Sequence, residues 1–117
     1  MPGLRDVVQH LADRAGVEAV VVVSGDGLTI DHATRSGLDA EALAAMIPAL
    51  TQTAGQVGAA ASGGDLTSAV FDFGGRLLVL SALNDGNNLL VLTGADTNIG
   101  ALLYDLRQHR PAIAELL

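Results

Sequence analysis

The stretch VEAVVVVSGDGLTI, from Val17 to Ile30, sets the first condition on the fold. Glu18 to Ser24 is a continuous apolar, β-branched run, the pattern of a strand covered on both faces. A chain that contains it must place packing layers on both sides of a sheet. Gly25-Asp26-Gly27 supplies the positive-φ positions of a tight hairpin, and Leu28 to Ala33 resumes with Leu28 and Ile30 alternating against Thr29 and Asp31. The second strand is therefore expected to be an antiparallel neighbour at a sheet edge. Ser24-Gly25-Asp26-Gly27 resembles a phosphate cradle only superficially, because such a loop leads into a helix and here a strand follows.

The flanking segments supply the layers. Between Leu4 and Ala15 the apolar residues Leu4, Val7, Val8, Leu11, Ala12 and Ala15 follow helical spacing, with Arg5, Asp6, Gln9, Asp13 and Arg14 opposite and Gly16 closing the segment. Asp39 can cap a second helix from Ala40 to about Ala60, with Glu41 in its first turn. Its apolar stripe reads Leu43, Ile47, Leu50, Ala54 and Val57, and Pro48 should kink it. DLTSAVFDF, RLLVLSAL and NLLVLTG then read as three strands joined by the short turns GG and NDGN, an antiparallel meander. Asp96, Thr97 or Asn98 can cap a last helix built on Ile99, Leu102, Leu103, Leu106, Ile113 and Leu117, with Pro111 near its end.

The order is α-β-β-α-β-β-β-α, an α+β domain over residues 1–117 with five antiparallel strands between helices. The first strand pairs with the fifth to close the middle of the sheet, which leaves the second and third at its two edges.

Composition excludes several function classes. Asp and Glu number 13 against 6 Arg and no Lys, and the net charge of -7 opposes nucleic acid and anionic membrane surfaces. With no Cys, thiolate chemistry and Cys-ligated zinc are removed, in keeping with a reducing cytoplasm. The amino-terminal MPGLRDVVQH has no signal-length apolar run, so a cytoplasmic protein is expected, and abundant Ala, Gly and Arg point to a GC-rich bacterial source. The second helix is too interrupted by Pro, Gly, Gln and Thr to insert into a membrane.

That helix is unusual in another respect. Not one ionisable side chain occurs in the 23 residues from Ala42 to Gly64, whereas a helix with water on one side normally carries charge there. The strand that follows, Leu66 to Phe73, is apolar on both faces and holds two of the three aromatic side chains. An edge strand of this kind invites pairing with another chain. Both features are met by a twofold dimer in which the third strand pairs with its copy and the second helix packs beside its copy. Met46, Ala49, Leu50, Thr53, Val57, Ala69, Phe71 and Phe73 are the expected interface.

Catalytic and metal chemistry find little footing. Asp31 and His32 are strand neighbours and point to opposite faces. His10 and His109 lie on helix surfaces without the His-x-x-x-His spacing suited to zinc. A nucleophilic set would require the fold to bring Ser68 and His32 together with an Asp. No catalytic residue, cofactor or metal site is assigned.

GVEAVVVVSGDGLTI, DAEALAAMIPAL and GGRLLVLSALNDGNNLLVLTGADTNIGALLYDLR, together spanning nearly the whole chain, resemble the roadblock/dynein light chain family. The resemblance implies a profilin-like roadblock fold, a homodimer or a heterodimer with a paralogue, and a non-enzymatic role. That role is to scaffold or regulate a Ras-like small GTPase, with stimulation of GTP hydrolysis as a further step, or to attach cargo to a motor. Arg35, Met46, Gln52 and Gln56 are the expected partner-binding residues, Arg35 because a loop arginine can reach a partner's phosphates. The alternative is a small-ligand sensor with a pocket between sheet and helix.

Overall fold

The structure, a computed structural model, describes residues 3–35 and 37–117. Its elements follow the expected order: α1 (Leu4–Ala12), β1 (Val17–Val23), β2 (Thr29–Thr34), α2 (Ala40–Ala60), β3 (Ser68–Asp72), β4 (Arg76–Ala82), β5 (Asn88–Gly94) and α3 (Ile99–Glu115). The sheet order is β2-β1-β5-β4-β3, all antiparallel, with β1 against β5 at the centre and β2 and β3 at the edges.

The alternation of side chains along β1 sorts the core into two layers. Val20 and Val22 join Val79, Leu89 and Val91 beneath α1 and α3, where Val8, Leu11, Leu102, Leu106 and Ile113 complete the packing. Ala19, Val21 and Val23 face the other way, with Leu78, Leu80, Leu90 and Leu92, and meet Ala40, Ala44 and Ile47 of α2. Burying each large aliphatic side chain contributes about 1.5–3 kcal/mol, so strands apolar on both faces hold both helical layers. The register slips between Val17, opposite Thr93, and Ala19, opposite Leu92. The extra residue, Glu18, is a β-bulge that turns Val17 into the α1 and α3 layer.

The turns are those their residues demand. Ser24 N–H donates to the Leu28 carbonyl at 2.8 Å and Gly27 N–H to the Ser24 carbonyl at 3.0 Å, which closes SGDG as a hairpin. Asp85 and Gly86 both take positive φ, 54° and 78°, the signature of a primed hairpin turn between β4 and β5. Asp39 caps α2 through Ala42 N–H, and of the three expected caps for α3 it is Asn98 that accepts from Ala101 N–H, each at 3.1 Å.

Some boundaries differ from the sequence reading. α1 stops at Ala12, capped at Asp13, so Ala15 falls in the connection to β1. β3 is shorter than DLTSAVFDF, although Thr67 and Phe73 still bond to β4 through Ala82 N–H and the Arg76 carbonyl, each at 2.9 Å. α2 runs on through Pro48, and α3 through Pro111. No helix among the described residues is long and apolar enough to cross a membrane.

Pro48 has a structural role at the β1–β2 turn. Gly27 has φ +82°, and a Cβ built there would lie 3.1 Å from Pro48 Cγ and 3.4 Å from the Ala44 carbonyl, the acceptor that Pro48 cannot serve. Replacing Gly27 with Ala should therefore destabilise the chain by about 1–3 kcal/mol, combining strain with crowding of α2. Gly37→Ala, at φ +87° with nothing within 4 Å, should cost only the backbone strain of about 1 kcal/mol. Urea denaturation of both variants checks the difference.

Candidate interaction surface

α2 docks most deeply by its first half. Ala40, Ala44 and Ile47 are its buried residues, spaced along one face, and Pro48 sits on the hairpin turn. Beyond that point no part of the helix is buried. Leu50 and Val57, which the apolar periodicity places on the inward stripe, are instead exposed, Val57 by 63 %. Past Ile47 the inner face turns to Thr51, Ala54, Gly55 and Gly58, which are half-buried, so the large residues Leu50 and Val57 are left outside.

Beyond Glu41 in the first turn, the exposed side of α2 is uncharged. Met46 is 57 % exposed, and Ala49, Leu50, Thr53 and Val57 continue from it at helical spacing as one surface stripe. Gln52 and Gln56 stand exposed on the same half of the helix. The helix ends in a Schellman turn, with Ser62 N–H donating to the Ala59 carbonyl at 3.2 Å and Gly63 N–H to the Gly58 carbonyl at 2.9 Å. Gly58 allows the chain to fold back, since a Cβ there would lie 2.6 Å from the Gly64 carbonyl.

The β3 edge divides its side chains between the two faces. Ala69 and Phe71 stand opposite Leu80 and Leu78 and pack, partly buried, against the core on the α2 side. Val70, opposite Val79, points to the other face and is 43 % exposed. Phe73 lies just past the strand, 68 % exposed, its ring stacked on Phe71 at 6.4 Å between centroids. Val70 is absent from the interface read from sequence, and the cross-strand register is what identifies it.

Arg35 lies apart from the other expected partner-binding residues. Its N–H donates to the Glu18 carbonyl and its Nε to the Val17 carbonyl, which holds it at the end of β2 remote from the hairpin turn. Gln52 and Gln56 follow Pro48 at the turn end, and the six-residue β2 separates the two ends by about 17 Å. The structure thus groups Met46, Gln52 and Gln56 on one helix half and leaves Arg35 elsewhere.

Ser68 and His32 occupy the two opposite edge strands, about 19 Å apart across a five-stranded sheet, and form no nucleophilic set. Asp31 stands opposite Val22 and His32 opposite Val21, on different faces, and Asp31 pairs with Arg5 at 3.0 Å. Open surface depressions are lined around Gly16, Gly94 and Asn98, around Arg5, Glu18 and Arg35, and around Gly27, Glu41 and Ala45. The layers between sheet and helices are filled by Ile47, Leu90, Leu102 and their neighbours.

Comparison with known proteins places this arrangement. The sequence model for the Roadblock/LC7 domain matches residues 4–93. Among solved structures, Myxococcus xanthus MglB superposes with a TM-score of 0.88 at 15 % identity, over 97 % of this chain and 93 % of that one. A Roadblock/LC7 domain from Streptomyces avermitilis gives 0.81 at 24 % identity, over 96 % and 98 % of the two chains. A second structure of a Roadblock/LC7 domain from Streptomyces avermitilis gives 0.70 at 26 % identity over the full length of both. No curated protein sequence matches the chain.

The difference between core and surface within this region is measurable. In dilute protein, Val57→Asp should leave the unfolding free energy within about 0.5 kcal/mol of the parent, because the side chain is exposed. Phe71→Asp should cost about 1–3 kcal/mol, because it removes contacts with the α2-side core. Equal effects of the two would contradict the placement.

Proposed function

The chain belongs to the Roadblock/LC7 domain family, and from that premise we propose that it is a homodimeric regulatory or scaffold subunit that binds a Ras-like small GTPase. It acts without an active site of its own. The observation that carries this reading is the uncharged stripe from Met46 to Val57, exposed on a helix whose inner side is already packed. A stripe of this kind is inexpensive to dehydrate and matches an apolar partner surface.

The dimer joins the two β3 edges antiparallel, doubling the sheet, and brings the two α2 stripes together. One solved MglB structure, at 10 % identity, has a tetrameric arrangement. Around Met46, the polar residues Gln52 and Gln56 supply the directional contacts to the GTPase. Arg35, at the far end of β2, is a secondary contact at the margin of the footprint. When the dimer orders the GTPase's own catalytic residues, hydrolysis accelerates, and no arginine need be inserted.

Light scattering should give a mass near twice 11.9 kDa for the unmodified chain. Val70→Asp should reduce this to the monomer, because two like charges would face each other across the new strand pair. An unmodified chain that stays monomeric at high concentration would contradict the dimer.

The partner is tested with Ras-like GTPases of the same genome, loaded with GDP or with a non-hydrolysable GTP analogue. Binding in one nucleotide state is expected, with Gln52→Ala/Gln56→Ala remaining dimeric and binding at least about tenfold more weakly, a loss of about 1.4 kcal/mol. Single-turnover GTP hydrolysis with and without the chain separates activation from scaffolding. Absence of binding in both nucleotide states would contradict the reading.

A further inference from the structure

The chain has 3 histidines, and the fold brings two of them, from opposite ends of the sequence, to one place. His10 lies in the last turn of α1 and His109 in α3, with ring centroids 6.2 Å apart and planes inclined at 41°. Both line a surface depression shared with Asp13, Arg14 and Asp105. This cluster is on the α1 and α3 face of the sheet, opposite α2, and the interaction surface above makes no use of it.

The orientation of His109 is fixed. Its Nδ1 lies 2.7 Å from the Asp105 carbonyl oxygen, which can only accept, so Nδ1–H donates and Nε2 is the ring nitrogen whose lone pair a metal would take. Metal-binding histidines are commonly held in this way, the second ring nitrogen donating to a backbone carbonyl to set tautomer and direction. The charges around the rings are compatible with a cation. Arg14, the one fixed positive group lining the depression, is paired with the Asp105 carboxylate, and Asp13 adds a negative charge while accepting from Gln9 Nε2 at 2.9 Å.

We propose that His10 and His109 form a two-imidazole site for a borderline divalent transition metal such as Zn2+ or Ni2+, bridging α1 to α3. Metal–nitrogen bonds of 2.0–2.1 Å put two ligating ring centres about 5 Å apart at a tetrahedral angle. The observed 6.2 Å is therefore closed by a swing of about 1 Å of the exposed His10 ring. Among the described residues no group of three or more His, Asp or Glu side chains is arranged as a metal site, so water fills the remaining positions and binding is reversible. The bound metal ties the short helix α1 to α3 and competes with protons for the same nitrogens, so binding weakens in acid.

The test is titration of tag-free full-length protein with ZnCl2 and NiCl2 at pH 7.5, followed by calorimetry. One equivalent should bind, and His10→Ala and His109→Ala should each weaken binding at least about tenfold, since even the partners that merely orient a ligand are worth that much. His32→Ala, on the sheet edge away from the pair, should bind like the parent. Amide exchange should also show α1 becoming more protected when Zn2+ is added to the parent and unchanged in His10→Ala, a variant at an exposed position. No binding below millimolar metal would overturn the proposal, as would binding lost equally in His32→Ala. Binding lost in His109→Ala but retained in His10→Ala would also overturn it, because the site would then not be shared between the two helices.

Discussion

Pairing of β1 with β5 is the constraint on which the rest of the molecule depends. The strands come from opposite halves of the sequence, and six residue pairs from Val17 with Thr93 to Val23 with Asn88 join them at the centre of the sheet. Because both strands are apolar on both faces, their pairing creates two hydrophobic surfaces at once, and each needs its own cover. α1 and α3 cover one. α2 covers the other, and small Ala40 and Ala44 let it approach closely enough for Ile47 to seat against the sheet.

The position of α2 follows from that seat, and the candidate function follows from the position. Once Pro48 lies against Gly27, about three further turns, or roughly 18 Å of helix, extend past the hairpin. That half buries none of its residues fully within its own chain, yet it carries no charge. In a chain of net charge -7 the restriction of ionisable groups to the first turn of α2 and to other elements makes this surface inexpensive to dehydrate. The open β3 edge, with Val70 and Phe73 exposed beside it, presents backbone donors and acceptors as well. Apolar surface and unpaired strand edge are the two elements of a strand-extended interface.

Much of the fold is legible in the sequence because its signals are local. The β1 run, the SGDG and NDGN turns and the Asp39 cap each act within a few residues, and the strand order then follows from closing a sheet whose most apolar strands lie inside. What is not legible depends on where one element stops covering another. Leu50 and Val57 share helical phase with Ile47, so periodicity assigns all three inward, but past Pro48 it is Thr51, Ala54 and Gly58 that are half-buried while Leu50 and Val57 stand exposed. Val70 and Phe71 are adjacent and similarly apolar, and only the register with Val79 and Leu78 decides which is exposed. The meeting of His10 with His109 requires the packing of α1 beside α3, for which the sequence holds no spacing signal.

In the proposed dimer the β3 edge and the outer half of α2 are covered, whereas the β2 edge is not. Residue-resolved amide hydrogen exchange of the unmodified chain, across a range of protein concentrations, tests it most directly. Amides of β3 between Ser68 and Asp72 should gain protection as concentration rises, while those of β2 between Thr29 and Thr34 should not. Equal exchange at both edges at every concentration would contradict it.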